Sequence, residues 1–531
     1  MASIWTVAYV VSCFKLFLIP TYRSTDFEVH RNWLAITHSL PFDQWYYERT
    51  SEWTLDYPPL FAWMEFLLGK IARYFDKEML VISNLNYASD ATILFQRLSV
   101  IVTDFVFIYA IKQFCDQFVI QYKKDADRSS LVAHPPVVLA ILIMANCGLF
   151  MVDHILSFSR TIQLCYNGFL FGILVLSILR MYQGRHLESA FWFAVLLNLK
   201  HIYLYIAPAY FVYLLRCYCF QSYQDGRIAW RSFSITRLVA TGIVVITVFL
   251  TSLGPFIYLN QLPQVLSRLF PFKRGLCHAY WAPNLWALYN MADKGAAIVG
   301  SRLGLVSRTD LTQAVMTGGL VQEYKHVILP AISPVITVIA TGISIMPALL
   351  NLWLNPRGPQ SFLRAIVLCA FGSFMFGWHV HEKAILLIII PLSLLVMERK
   401  RDAQAFLVLS VVGHYSLFPL LFMPTEIPIK VLLLISCSVF AFISLGKIYN
   451  FGFGILTWPL LTRWETLYLM IIPALEAYNT IGHPLLGLSQ QLPFLPLMLT
   501  SVYCALGVSY CWIKFYVNAF SMKHHKHAKQ S

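Results

Sequence analysis

The stretch that decides the class of this protein is LVATGIVVITVFLTSLGPFIY, from Leu238 to Tyr258. It contains no charged residue, and it is as long as the roughly 20 apolar residues that a helix needs to cross the hydrocarbon core of a bilayer. A helix on the surface of a soluble domain would carry charges on one face. The stretch therefore predicts a transmembrane helix.

Comparable apolar runs recur along the whole chain of 531 residues, which is 58% hydrophobic and only 12% charged. The mean hydropathy is +0.63. The runs are continuous rather than alternating, so helices that satisfy their own backbone polar groups are indicated instead of membrane strands. We predict an all-α polytopic membrane protein, a single domain over residues 1–531, with about 11 to 14 transmembrane helices. The further runs are Leu98 to Ile111, Val137 to Val152, Phe169 to Leu179, Ala190 to Leu215, Val327 to Trp353 and Val431 to Leu445.

Short basic loops set the expected orientation, because loops rich in Lys and Arg stay in the cytosol. They place residues 20–95 on the opposite side as a first luminal loop, whose many aromatic residues indicate helices at the bilayer interface. A basic cytosolic tail is expected at residues 521–531. The basic loops are Gln121 to Arg128, Arg180 to His186, Asp225 to Arg231, Asn355 to Arg364 and Glu398 to Asp402.

The formal net charge of +14 is distributed over these loops, so nucleic acid is not an expected partner. The 11 cysteines form no C-x-x-C pair, which argues against a zinc site and a disulfide framework. We predict that no metal or other cofactor is required.

One luminal segment breaks the charge rule, since Ser267 to Asn284 carries Arg268, Lys273 and Arg274. An anionic ligand such as a phosphate would explain these cations. Contact with lipid headgroups explains them equally well.

The first luminal loop begins with STDFEVHRNW, Ser24 to Trp33, which has two acids near a predicted helix start. Thr25 and Glu28 have the spacing of a capping box, which gives Glu28 a structural task. Asp26 lies in the first turn, where the helix dipole favours a charged carboxylate. Asp26 is therefore the candidate general base, and an amphipathic helix is expected to begin there.

Further polar candidates lie beside apolar runs, where ionisable groups are costly and usually functional. Asp56 in WTLDYPP is interpreted as a helix cap, a base or a sugar ligand, the cap being the simplest interpretation. Lys200 is expected to make an interior polar contact with a ligand or with a neighbouring helix. In HVHEK, His381 and Lys383 are candidate donors to a phosphate, Glu382 is their orienting partner, and His379 completes the candidate set.

Together these motifs resemble the endoplasmic-reticulum dolichyl-phosphate-glucose glucosyltransferases. The resemblance covers nearly the whole chain. It implies the C-type glycosyltransferase (GT-C) fold, with the active site on the luminal side of the endoplasmic-reticulum membrane. The motifs are TDFEVHRNW, WTLDYPP, YNGFLFG, FPFKRG and HVHEK.

The resemblance also implies the reaction. Glucose would move with inversion from dolichyl phosphate glucose to a dolichyl-pyrophosphate-linked oligosaccharide, with Asp26 at the family's catalytic aspartate. The stretch RGLCHAYWAPNLWALYN, Arg274 to Asn290, resembles the branch that adds a second glucose in α-1,3 linkage to Glc1Man9GlcNAc2-PP-dolichol. The alternatives are the branch that adds the first glucose and another polyprenyl-phosphate-sugar transferase.

One motif departs from the family pattern D-H-x-H-F-Q-Y-N-G. This chain reads DHILSFSRTIQLCYNG from Asp153 to Gly168, with an apparent insertion in place of the second histidine and the Phe-Gln pair. Asp153 and His154 stay as site candidates.

A multi-spanning lipid or sugar transporter is the alternative from another class, because transporters also combine many helices with buried charges. That alternative predicts inverted repeats and broken helices near the bilayer midplane. Neither is clear in the sequence, and no nucleotide-binding or serine-hydrolase signature is present.

Overall fold

A computed structural model describes residues 4–19, 25–122, 133–155, 166–223, 227–270, 275–277, 281–305, 326–421 and 424–521. At residues 25–26, 118–122 and 154–155 the description is confined to the backbone. About 75% of the residues that the structure describes are helical. The all-α prediction is therefore confirmed, and the predicted tail at 521–531 lies outside the described residues except for Ser521.

The described helices follow one another along the chain in this order. The first twelve are α1 Ile4–Phe17, α2 Thr25–Ser39, α3 Pro59–Ala72, α4 Asp90–Thr103, α5 Phe105–Tyr122, α6 Pro135–Met144, α7 Cys147–Leu149, α8 Asn167–Tyr182, α9 His186–Leu199, α10 Ala207–Leu214, α11 Ile235–Tyr258 and α12 Leu262–Leu269. The next are α13 Leu285–Arg302, α14 Pro334–Leu354, α15 Pro359–Phe376, α16 Leu386–Ser393, α17 Lys400–Tyr415, α18 Ile427–Ile448, α19 Arg463–Met470, α20 Ile472–Ala477, α21 His483–Leu485, α22 Leu488–Gln491 and α23 Leu495–Phe520.

Tighter and wider helical turns join these elements. The 3-10 turns are Phe42–Gln44, Glu78–Leu80, His201–Ile206, Trp230–Ser232, Glu382–Ile385, Phe418–Leu420 and Pro424–Glu426, and the π turns are Phe150–Ile155, Leu215–Cys219 and Tyr478–Gly482. The strands of the described chain, β1 Gln221–Ser222 and β2 Ile228–Ala229, form a small antiparallel hairpin in which Gln221 pairs with Ala229.

Within the described residues, nine helical segments are long and apolar enough to cross a membrane. The shorter apolar helices α1 and α8 must be added to reach 11, the lower end of the predicted number. The nine segments are Asp90–Gln117, Pro135–Asp153, His201–Cys219, Ile235–Tyr258, Pro334–Leu354, Pro359–Phe376, Lys400–Leu420, Ile427–Ile448 and Leu495–Phe520.

Three of the predicted apolar runs are interrupted at polar residues. The run at 98–111 is divided at Asp104, the residue between α4 and α5, and the run at 137–152 breaks at Asn146. Asn146 restarts the helix by accepting the backbone N–H of Leu149 at 3.2 Å. The run at 190–215 breaks at Lys200, which is extended with φ −150° and ψ 115°. Irregular backbone within a membrane-spanning segment is tolerated where protein groups surround it.

The chain divides into two compact units. Unit 1 comprises residues 1–271, 353–362 and 423–427, and unit 2 comprises residues 272–352, 363–422 and 428–531. In unit 1, α8 packs on both α5 and α9. A Cβ atom at Gly172 would lie 2.7 Å from the backbone N of Phe107, so only glycine permits this close approach of α8 to α5.

Unit 2 is built around α17, which packs against α23. Arg364 and Asp402, both buried, form an ion pair of 2.5 Å between α15 and the first turn of α17. Trp281, Ala287 and Ala505 form a second apolar cluster beside α13.

Helix α2 confirms the predicted helix in the first loop but not its amphipathic character. Every residue from Phe27 to Thr37 is buried in unit 1. The polar residues of this helix are inside because other parts of the unit supply their partners, which a local sequence pattern cannot reveal.

Candidate active site

The predicted base, Asp26, is the second residue of α2. Its side chain lies outside the described part of the chain. The helix that carries it is fastened at several points, because Asn32 Nδ2 donates to the carbonyl of Trp53 at 3.0 Å and Trp33 Nε1 donates to the same carbonyl at 3.3 Å. A base on a rigid helix keeps its position without further ordering during the reaction.

Glu28 has a different partner from the one predicted. Its two carboxylate oxygens accept from Nε and Nη2 of Arg31, each at 2.7 Å. Arg31 is fully buried and also donates to the carbonyls of Met79 and Val81 at 3.0 and 3.1 Å. Glu28 therefore neutralises the arginine that ties α2 to the turn at 78–80, while the predicted cap at Thr25 lies outside the described side chains.

His30, one helical turn after Asp26, pairs with a second acid. Its Nδ1 lies 2.5 Å from Oε1 of Glu65 on α3, and both side chains are buried. The rings of Trp33 and Tyr166 flank the imidazole at centroid distances of 5.1 and 5.3 Å. The pair joins α2 to α3 and to the start of α8.

Asp56 does not cap the following helix, which corrects the simplest interpretation of its sequence. The N-cap of α3 is Pro58, whose side chain makes no capping hydrogen bond. The chain enters α3 through the proline step, which presets the backbone without a cap. Asp56 instead contributes charge beside Tyr46 and Arg268.

Asp153, at the start of the motif that departs from the family pattern, is hydrogen-bonded to residues at the end of that motif. Its Oδ1 accepts from Asn167 Nδ2 at 2.8 Å, and its Oδ2 accepts from the backbone N–H of Gly168 at 3.1 Å. The aspartate therefore contacts the two residues that follow the apparent insertion. Residues 156–165 and the side chain of His154 lie outside the described residues.

Lys200 extends this network at the break between α9 and the next 3-10 turn. Its Nζ donates to Asn167 Oδ1 at 3.3 Å and lies 5.3 Å from the ring centroid of Tyr57. Tyr57 packs in turn against Trp33 of α2, with centroids 4.9 Å apart. The structure therefore brings four sequence motifs together in unit 1: those that contain His30, Tyr57 and Lys200, and the motif from Asp153 to Gly168, which includes Asn167.

Arg268 lies elsewhere in unit 1, near the end of α12. Its Nε donates to the carbonyl of Tyr46 at 3.1 Å, and within the described chain its Nη2 has no hydrogen-bond partner. Burial and the nearby Arg49 lower the pKa of Arg268, while Asp56 opposes that shift. Burial and then Asp56 raise the pKa of Tyr46 well above its ordinary value. Arg274 lies outside the described residues.

The HVHEK turn, residues 379–383, belongs to unit 2. His379 donates through Nδ1 to the carbonyl of Gly275 at 2.8 Å, and its backbone N–H donates to the carbonyl of Leu276 at 2.9 Å. Val380 pairs with Cys277 in a parallel bridge. Burial raises the pKa of the Cys277 thiol to about 12, so this cysteine is a neutral packing group at physiological pH.

The hydrogen bonding of His381 leaves its ring able to donate a hydrogen bond. Its Nδ1 accepts the backbone N–H of Lys383 at 3.2 Å, so in the neutral ring the proton is assigned to Nε2. The side chain is 27% exposed, which leaves it reachable by a ligand. Glu382 is buried, with Oε2 3.4 Å from His381 Nδ1, and because both atoms are acceptors in this tautomer, the orienting role of Glu382 stays a prediction.

No group of three or more His, Cys, Asp or Glu side chains that could hold a metal ion occurs among the described residues. The polar side chains described above are carboxylates, histidines, lysines, arginines and an asparagine.

Several of the partners that organise the site are absent from the sequence prediction: Lys15, Glu65, Asp104, Asn167 and Asn290. Lys15 and Asp104 form a buried ion pair of 2.5 Å. In the sequence, Lys15 and Asp104 are each a lone charge inside an apolar run, where a charged residue is costly and usually functional.

The comparisons with known proteins bear on this arrangement. Residues 11–515 match the model of the ALG6, ALG8 glycosyltransferase family. The chain belongs to this family. As a member, this glycosyltransferase is a multi-pass membrane enzyme with the GT-C fold, as the resemblance implied.

Curated relatives extend over nearly the full length of the glycosyltransferase. A mouse protein named dolichyl pyrophosphate Glc1Man9GlcNAc2 alpha-1,3-glucosyltransferase is 54% identical over 97% of this chain and 95% of its own length. A bovine protein of the same name is 52% identical, over 96% and 94%. A Drosophila melanogaster protein, named as a probable enzyme of this kind, is 47% identical over 98% and 94%.

These findings decide between the two classes of protein. The interrupted helices at Asp104, Asn146 and Lys200 were the feature expected of a transporter, and the described chain has them. Family membership places them in a transferase instead. Interrupted helices therefore do not separate transporters from membrane enzymes.

Proposed function

We propose that this glycosyltransferase transfers glucose from dolichyl phosphate glucose to Glc1Man9GlcNAc2 on dolichyl pyrophosphate, forming an α-1,3 linkage with inversion. The observation that carries the proposal is the near full-length identity to relatives named for this acceptor and linkage. The same likeness favours the second-glucose branch over the first. The reaction is proposed to occur at the luminal face of the endoplasmic-reticulum membrane.

Asp26 is proposed to take the proton of the acceptor hydroxyl as that oxygen attacks C1 of the glucose. The bond between C1 and the phosphate oxygen breaks, and dolichyl phosphate leaves from the opposite face. A positioned base of this kind contributes roughly 10²- to 10⁴-fold to the rate. The buried contacts of α2 support this role, because they fix the helix that carries the carboxylate.

The leaving phosphate gains negative charge as the bond breaks, so cationic and neutral N–H donors would stabilise it. Lys383, His381 through its Nε2–H, Arg268 and Arg274 are proposed for this task. The orientation of His381 and the buried Nη2 of Arg268 support it. The acceptor oligosaccharide is proposed to meet the network around Lys200 and Asn167.

The test uses purified enzyme with dolichyl phosphate glucose, monoglucosylated acceptor and a metal chelator. We expect one added hexose by mass and an α-1,3 linkage by linkage analysis. Products made only from unglucosylated acceptor would point to the first-glucose branch, and movement of lipid without a new glycosidic bond would point to a transporter.

Asp26→Asn tests the base. We expect transfer to fall by roughly 10²- to 10⁴-fold, because the amide cannot take the proton. The exposed Asp43→Asn, a change of the same kind in the same loop, serves as the control and is expected to transfer normally. Near-normal transfer by the Asp26 variant, correctly inserted in the membrane, would show that Asp26 is not the base.

A further inference from the structure

The HVHEK turn is hydrogen-bonded to residues of RGLCHAYWAPNLWALYN, the stretch that resembles the second-glucose branch. Two carbonyls of this stretch, Gly275 and Leu276, accept from the ring and the backbone of His379. The next residue, Cys277, pairs with Val380. Two segments that are about 100 residues apart in the chain therefore form one small parallel unit.

The same stretch also forms hydrogen bonds with the residues just before the turn. Asn284 Nδ2 donates to the carbonyl of Phe374 at 3.1 Å, and Trp286 Nε1 donates to the carbonyl of Gly377 at 3.0 Å. Asn284 and Trp286 are buried at the N-terminal end of α13. The backbone is therefore bound on both sides of Trp378, just before the turn.

His379 itself has a φ of +51°, in the left-handed region that few residues other than Gly adopt, although Asn, Asp and His do so more often than the rest. Such a conformation persists only where the surrounding contacts hold it. Here the two hydrogen bonds to Gly275 and Leu276 hold it. The sign of φ at this residue sets the direction in which His381 and Lys383 leave the turn.

We infer that His379 is a positioning residue, which fixes the HVHEK turn on Gly275 and Leu276 so that His381 and Lys383 face the lipid phosphate of the donor. This inference rests on the proposed function. It differs from the prediction that His379 is one more site ligand, because its Nδ1–H is already donated to a carbonyl. Residues 275–277, 284 and 286 then act on donor binding through the turn that they support.

Three substitutions separate the contributions of His379. His379→Ala removes the ring donor and disfavours the left-handed backbone. His379→Asn keeps both properties, because Asn tolerates this conformation and its amide can donate to Gly275. His379→Gly keeps the backbone freedom but removes the donor.

The kinetic constants for donor and acceptor are measured for each variant, and binding of dolichyl phosphate is followed by the thermal shift of the purified protein. We expect the alanine variant to lose roughly tenfold to 100-fold in kcat/KM for the donor, mainly through KM, because a misplacement of about 1 Å has this effect. The acceptor KM should not change. Asn should restore most of the loss, and Gly should lie between.

His186→Ala provides the matched control, since this half-buried histidine of α9 belongs to unit 1 and is outside the proposed site. An unchanged donor KM in His379→Ala, or equal losses in the Asn and Gly variants, would overturn the inference. If the alanine variant does not fold, the Asn and Gly variants decide it alone. His379-dependent binding of dolichyl phosphate without any glucose transfer would support the positioning role and reject the proposed reaction.

Discussion

The two acids of α2 show how a single residue acquires its task from its partner. Glu28 forms an ion pair with Arg31, and Arg31 also holds α2 to the turn at 78–80. Local spacing predicted a capping role for Glu28, which stays a prediction because the side chain of Thr25 lies outside the described residues, and it did not predict this ion pair. The arginine lies only three residues away, yet its burial depends on carbonyls about 50 residues later in the chain.

Lys383→Ala is expected to weaken use of the donor, because the phosphate loses a charged hydrogen-bond donor worth about 1.5 to 3 kcal/mol. This corresponds to a fall of roughly tenfold to 100-fold in kcat/KM at varied dolichyl phosphate glucose. Lys77→Ala, an exposed lysine of the first loop, is the control. Unchanged kinetics across donor concentrations would exclude Lys383 from phosphate binding.

At the scale of elements, one helix ends and the next begins where polar residues find partners inside the protein. Asp104 at the junction of α4 and α5 pairs with Lys15 of α1. Its neighbour in space is Gly168 of α8, where a Cβ would lie 1.9 Å from Asp104 Oδ1. Gly168, the first glycine of YNGFLFG, is therefore required by packing against Asp104.

Lys15→Leu is expected to lower the thermal stability of the detergent-solubilised protein, because Asp104 would lose its buried cation. Removing one partner of a buried pair costs about 3 to 5 kcal/mol, whereas replacing both is often neutral. The double variant Lys15→Leu/Asp104→Leu should therefore recover much of the loss. A double variant as unstable as the sum of both single variants would show that the two residues act independently.

The loop before α4 is fixed by Asp76, whose carboxylate accepts from Tyr87 at 2.9 Å, from Thr92 at 3.1 Å and from Ser89, the N-cap of α4. Partial burial raises the pKa of Asp76, but these hydrogen bonds outweigh it, and the net pKa is lowered. The charged form therefore stabilises the fold above the ordinary pKa of about 3.9, and this contribution is lost as the pH falls through the lowered value.

Asp76→Asn should consequently be less stable than the parent protein at neutral pH and equal to it at low pH. Thermal unfolding between pH 7 and about pH 3 measures the difference, with Asp43→Asn as the control. A stability gap that stays constant over this range would show that the charge of Asp76 is not the cause.

At the scale of the whole molecule, the distribution of charge predicts the orientation in the membrane. Ala88→Thr makes Asn86, which is exposed in the first loop, the acceptor of an N-x-S/T motif. We expect this variant to gain a glycan that an endoglycosidase removes. The double variant Gln183→Asn/Arg185→Thr in a predicted cytosolic loop should stay unmodified. The reverse pattern would invert the proposed orientation.

The sequence by itself determined that this is an α-helical membrane enzyme and pointed to its motifs. Long apolar runs leave the backbone no alternative to helices in lipid, and the motifs are local strings of residues. Only the tertiary structure decided which helices break and which polar groups meet. Lys15 contacts Asp104 over 89 positions, and His379 contacts Gly275 over 104. A buried polar group needs a partner wherever the fold supplies one, and that partner is set by packing, not by spacing along the chain.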